Sequence, residues 1–145
     1  MQNRWIASLV VAASLMIGAP ALAMGDSDPV NLGEVQQLID AGDFQTAVAK
    51  LQMYVDATPH DADGYNLLGY SYREMGFFDL SKQSYDRALQ LDPGHLGVHE
   101  YLGELYLKTN EPAKAQAELA ILEGLCGTEC VEYTTLAAAI AAANP

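Results

Sequence analysis

The feature that most constrains this chain is an order of residue types that returns after a fixed interval. From Ala62 to His95 the sequence reads ADGYNLLGYSYREMGFFDLSKQSYDRALQLDPGH. Within it Tyr65, Leu68, Gly69 and Tyr72 mark one amphipathic run; Ser81, Tyr85 and Ala88 mark a second, which Pro93 closes. The order reappears downstream as Leu102, Gly103, Tyr106, Ala115, Leu119 and Leu122, with His99 at the place of the first aromatic. Upstream, Ala47, Leu51 and Pro59 match the second run, whereas Glu34 and Val35 stand where Leu and Gly belong. Such a unit cannot bury its apolar face alone, so the pattern implies stacked neighbours with a degenerate opening unit.

The residue types make physical sense as pairs of helices. Gly69 and Gly103 are expected where two antiparallel helices come closest, since a missing side chain permits that approach at a propensity cost of about 1 kcal/mol. Ala47, Ser81 and Ala115 offer small side chains from the second helix of each pair. Pro59 and Pro93 stop the run before them, because proline restrains its predecessor and donates no N–H. The stretches AGD, MGF and TNE supply short turns. Helices are therefore expected over 32–41, 44–57, 62–75, 78–91, 96–109 and 112–125. After them CVEYTTLAAAIAAANP carries Tyr133, Leu136 and Ile140 on one stripe of a further short helix, which would cover the open end of the stack. Its outer face is mostly alanine, which leaves room for a contact with another chain.

The unit resembles the tetratricopeptide repeat, about 34 residues long, whose pattern asks for a bulky aromatic, Leu, Gly, Tyr, a small residue, an aromatic, Ala and Pro in this order. The resemblance covers residues 30–127 and is most specific in the middle unit. It implies an all-α fold of three helical hairpins (about 28–61, 62–95 and 96–129) in a right-handed solenoid, with repeats over 32–127 and a capping helix and tail over 130–145. It also implies a receptor for an extended peptide or a helix, held in a concave groove lined by the first helix of each pair.

The family's groove positions fall here on Gln36, Ile39 and Asp40, then Asp63, Asn66, Tyr70, Arg73 and Glu74, then Glu100, Glu104, Leu107 and Lys108. Gln36, Asn66, Tyr70, Arg73, Glu74, Glu100, Glu104 and Lys108 form the expected ligand groove. Asp40, Asp63, Glu74, Glu100 and Glu104 outnumber Arg73 and Lys108, which points to a protein or peptide partner of basic character. The Lys/Asn/Arg cluster with which chaperone-binding members grip a C-terminal carboxylate is absent, since Leu32 and Gln36 stand at two of its places. Tyr70 is not required for packing within a pair, so an exposed ring there is expected to touch the ligand.

The N-terminus reads MQNRWIASLVVAASLMIGAPALA, with Arg4 before an apolar run from Trp5 to Ile17 and a small-x-small site at Ala21-Leu22-Ala23. That is the pattern of a cleavable secretory signal over 1–23, followed by a short linker over 24–31. The run is shorter than the ~20 residues a spanning helix needs, so no stable membrane anchor is expected after cleavage. The destination is a bacterial periplasm or the secreted fraction. Arg4 is one of only seven Lys and Arg residues, set against 19 Asp and Glu. Nucleic acid is excluded as a partner, because phosphate binding needs clustered cations.

Cys126 and Cys130 are the only two cysteines. In an oxidising compartment neighbouring thiols tend to pair, and Gly127 between them can bend the chain so that the two side chains converge. A structural disulfide is the first reading. The alternative is a metal- or redox-responsive adaptor. A dithiol centre would have CxxxC spacing without a thioredoxin-like surround, and a metal site could recruit His95 and His99. No HExxH, glycine-rich phosphate loop or GxSxG is present. The chain is read as a non-enzymatic interaction module with no cofactor.

Overall fold

A computed structural model describes residues 30–143. The expected signal segment and most of the linker after it lie outside the described residues. Among the described residues seven helices follow one another: α1 (Leu32–Asp40), α2 (Phe44–Ala57), α3 (Ala62–Glu74), α4 (Phe78–Leu91), α5 (Leu96–Lys108), α6 (Pro112–Cys126) and α7 (Val131–Ala143). No strand occurs among the described residues.

Several boundaries have a local cause. The side chains of Asn31, Asp43 and Asp61 accept from the backbone N–H of Glu34, Thr46 and Asp63, at 2.9, 3.1 and 2.9 Å, and so cap α1, α2 and α3. His95 does the same for α5 through Nδ1, 3.2 Å from the N–H of Val98. The turn inside each hairpin passes through left-handed backbone: Gly42 at φ 77°, Gly76 at φ 80° and Asn110 at φ 61°. Glycine adopts this conformation freely and asparagine tolerates it, so AGD, MGF and TNE make equivalent turns despite their different sequences.

Three apolar clusters follow one another along the stack. The first joins Val35, Ile39, Ala47, Leu51, Val55, Leu68 and Tyr72. The second joins Tyr85, Ala88, Val98, Leu102 and Leu105. The third joins Ala115, Leu122, Leu136 and Ile140. Leu68 and Tyr72 belong to the cluster of the preceding hairpin, which is how one repeat completes the core of its neighbour.

One expectation is corrected in detail. Gly69 does meet the second helix of its own pair: a Cβ there would lie 2.5 Å from a ring carbon of the fully buried Tyr85. Gly103 instead faces the last helix, and a Cβ on it would lie 2.5 Å from a methyl of Leu136. Leu119, at the place matching Tyr85, packs against the same cluster as Leu136. The last helix, α7, lies over the end of the third unit. It packs against both α5 and α6, and Leu136, fully buried, stands one period after Leu102, as Leu102 does after Leu68. The helix read as a plain cap has the place of the first helix of a fourth unit.

Candidate functional site

The first helices of the units share one face. On it a cavity of about 420 Å³ is lined by Arg73 and Glu74 from α3, by Glu104, Leu107 and Lys108 from α5, and by Ala139 and Ala143 from α7. Its floor continues as a row of rings. Tyr70 lies 6.2 Å from Phe44, at the start of α2, and 5.0 Å from Tyr101 on α5, centroid to centroid. The row follows from the stacking of α3 on α5, which brings one turn of each helix opposite the other.

Arg73 organises the centre. Its guanidinium carbon sits 5.1 Å over the Tyr70 ring and 5.4 Å over the Tyr101 ring, a double cation–π arrangement. The same group pairs with Glu104 and, at 3.2 Å, with Glu74. The residue is 4% exposed, and its Nε finds no acceptor among the described residues. Burial opposes its charge, but Tyr85, Glu104 and Glu74 outweigh that and hold the guanidinium cationic. Two carboxylates on one guanidinium leave this centre net negative.

Glu100, one helical turn before Glu104, is only 9% exposed and forms no ion pair among the described residues. Burial above all, then the charges of Glu104 and Glu132, push its carboxyl up to about 7, against a smaller pull from Arg73. The groove therefore holds a carboxylic acid poised to titrate near neutrality. Burial, followed by the charge of Glu74, also raises the Tyr70 hydroxyl.

The expected groove residues fall into three groups. Arg73, Glu74, Glu104 and Lys108 are brought together around the cavity, with Leu107 beside them. Asn66, Tyr70 and Glu100 lie along the same face but are partly or wholly covered. Asn66 is 8% exposed, its Oδ1 has no partner among the described residues, and its Nδ2 would stand 3.3 Å from a Cβ on Gly97. Gln36 is exposed, donates to Asp40 at 2.9 Å and does not line the cavity.

Three expectations need correction here. Ile39 is a core residue, 8% exposed, because α1 turns it toward Ala47 and Leu51. The Tyr70 ring is half-buried between Phe44 and Tyr101 rather than standing free. Asp63, exposed, is engaged by His95 Nε2 at 2.9 Å.

Sequence reasoning missed Tyr101, Phe44, Ala139 and Ala143. Tyr101 carried the signal already applied to Tyr70, an aromatic outside the repeat's own aromatic places. Ala139 and Ala143 belong to the alanine-rich face noted as open to another chain, but they enter the groove because α7 takes the place of a first helix.

Cys126 and Cys130 end α6 and precede α7, with their Sγ atoms at disulfide distance, 2.02 Å, and their Cα atoms 5.9 Å apart. The histidines considered as companions are occupied elsewhere. His95 caps α5 and bonds Asp63, whereas His99 bonds Glu118 at 2.7 Å and the Pro93 carbonyl at 3.0 Å.

Comparison with known proteins agrees with the repeat. A family model described as tetratricopeptide repeat matches residues 72–124. Among curated proteins, the uncharacterized protein ycf37 of Guillardia theta is 34% identical over 55 residues, covering 38% of this chain and 31% of that protein. The chain thus spans about a third of the length of the curated relative it matches. Among solved structures, the type III secretion chaperone SycD of Yersinia enterocolitica, in complex with a peptide of the translocator YopD, superimposes with a TM-score of 0.66 at 20% identity, over 77% of this chain and 84% of that one. MamA of Desulfovibrio magneticus gives 0.63 at 22% identity, over 68% and 55% of the two chains. At such identities the likeness is one of fold.

Proposed function

From the tetratricopeptide-repeat match over residues 72–124 we propose that the chain is an exported, non-enzymatic adaptor of that family, holding a segment of a partner protein across the groove of α1, α3, α5 and α7. The observation that carries this reading is the floor formed by Phe44, Tyr70, Arg73 and Tyr101 beside a cavity shared by three first helices. Half-buried rings already fixed in place around a buried guanidinium offer contact area with little further ordering, which is what a peptide receptor needs. A protein of this fold, SycD, has been solved with a peptide of YopD, which supports the same use of the scaffold here.

The charge around the floor sets the kind of segment. Glu74 and Glu104 share one guanidinium, Asp40 and Glu100 add further acid, and Lys108 is the one other cation lining the cavity. A basic segment is the complement, with Leu107, Ala139 and Ala143 receiving an apolar anchor. The N-terminal pattern supports delivery to a periplasm, with Met24 as the first residue after cleavage, and in that oxidising space Cys126 and Cys130 close a disulfide.

The test is affinity capture from the exported fraction by the chain beginning at Met24, with an Ala139→Arg variant in parallel. Arginine there fills the cavity without entering any of the three cores. The principal retained protein should be lost from the variant and should elute as salt screens the groove acids. Equal retention by the variant would place the binding surface elsewhere. Intact Met1 in the exported protein would overturn the cleavage.

A further inference from the structure

The turn from α6 to α7 brings together more than two thiols. Cys126 closes α6, Cys130 immediately precedes α7, and Glu132 stands in the first turn of α7. The Sγ atoms of both cysteines and a carboxylate oxygen of Glu132 all lie within 4.8 Å of one another, and all three residues are half-buried. Glu132 forms no ion pair among the described residues. We propose that, once its cysteines are reduced, this turn is a three-ligand site for a thiophilic cation of the zinc class, so that the joint between the repeats and the last helix has an oxidised metal-free state and a reduced metal-bound state.

Reach, ligand chemistry and local backbone carry the proposal. Donors on one zinc ion stand about 2.3 Å (sulfur) and 2.0–2.2 Å (oxygen) from the metal, so any two of them are at most about 4.6 Å apart. Around a tetrahedral ion the donor pairs stand about 3.6–3.8 Å apart, so a set already inside 4.8 Å needs about an ångström of side-chain adjustment beyond opening the sulfur pair. Two thiolates select zinc or copper(I) over magnesium or calcium, and the carboxylate completes three protein ligands with one position left for water. Gly127, at φ 78° and with nothing within 4 Å of where a Cβ would sit, gives the turn freedom to close around an ion. The histidines, occupied by Asp63, Glu118 and the Pro93 carbonyl, take no part.

The interconversion balances. A dithiol reductant gives two electrons and two protons to the Cys126–Cys130 disulfide, breaking the S–S bond to two thiols, and is itself oxidised to a disulfide. Each thiol then loses a proton as its sulfur binds the cation.

The test uses the chain from Met24, kept reduced by a phosphine, with Co²⁺ as the spectroscopic probe. The expected result is one Co²⁺ per chain, with a thiolate charge-transfer band and the visible bands of a four-coordinate ion, both removed by added Zn²⁺. Cys126→Ser should abolish the band, Glu132→Gln should weaken binding at least about tenfold, and His95→Ala should leave it unchanged. The oxidised protein should show no band, and circular dichroism should show every variant still helical. Absence of a thiolate band in the reduced protein would overturn the site, as would full affinity in Glu132→Gln or equal binding by the oxidised form.

Discussion

Replacing Glu100 by glutamine should make the protein more stable, and only above a particular pH. The carboxyl of Glu100 is 9% exposed, unpaired among the described residues, and held beside Glu104 and Glu132 with Arg73 as the one opposing charge. In the unfolded chain it titrates near its ordinary value of 4.5; in the folded protein it is pushed up to about 7. Between those two values the native state keeps a proton that the unfolded chain has released. Unfolding free energy must therefore fall as pH rises through that window, and the loss is complete above about 7. At about 1.4 kcal/mol per pH unit the window corresponds to about 2–3.5 kcal/mol, the lower end allowing for water that reaches the groove.

Glutamine resembles the protonated acid in size and cannot ionise. Urea titrations followed by far-UV circular dichroism should find variant and parent nearly equal near pH 5, and the variant more stable by that amount near pH 8. The comparison isolates Glu100, because every other titrating group is common to both proteins. His99, raised by its bond to Glu118, also favours the folded state at low pH and loses that contribution as pH rises through its folded value, but it does so in both chains. Parallel pH profiles for the two proteins, or a variant weaker than the parent near pH 8, would refute the reasoning.

Gly69→Ala should destabilise by about 1–3 kcal/mol, because its Cβ would press on the buried Tyr85 ring, whereas Gly124→Ala, with open space around it in α6, should stabilise by up to about 1 kcal/mol; thermal melts read both signs. Replacing Cys126 and Cys130 together by serine should lower stability by about 2 kcal/mol and speed hydrogen exchange chiefly in α7, and exchange that is unchanged there would mean that the pair does not restrain the joint.

What could be read in advance followed the distance over which each feature is decided. Helix boundaries are decided within a few residues, by caps such as Asp43 and Asp61, by Pro59 and Pro93, and by left-handed turn residues such as Gly76, and they fell within a residue or so of expectation. The groove is decided across helices. Arg73 carries no sign in its own neighbourhood that Glu104, on the next first helix, will neutralise it, or that Tyr70 and Tyr101 will enclose it. Glu100 likewise looks like any acid on an acidic face until α7 brings Glu132 near it. The position of α7 was legible in principle, since Leu136 continues the spacing of Leu68 and Leu102, yet its alanines hide the rest of the unit's pattern.

That position gives the described residues an odd number of helices. A solenoid of whole hairpins has as many inner helices as outer ones, but among the described residues α1, α3, α5 and α7 form an inner rank of four against an outer rank of α2, α4 and α6. The inner wall is thus one helix longer than its backing. The outermost plank of that wall, α7, rests on α5 and on one side of α6, with nothing of this chain behind it among the described residues. Anything lying along the inner wall grips three backed helices and one unbacked one, so load on the segment is borne unevenly, and the paired sulfurs of Cys126 and Cys130 tie the unbacked helix to the one before it.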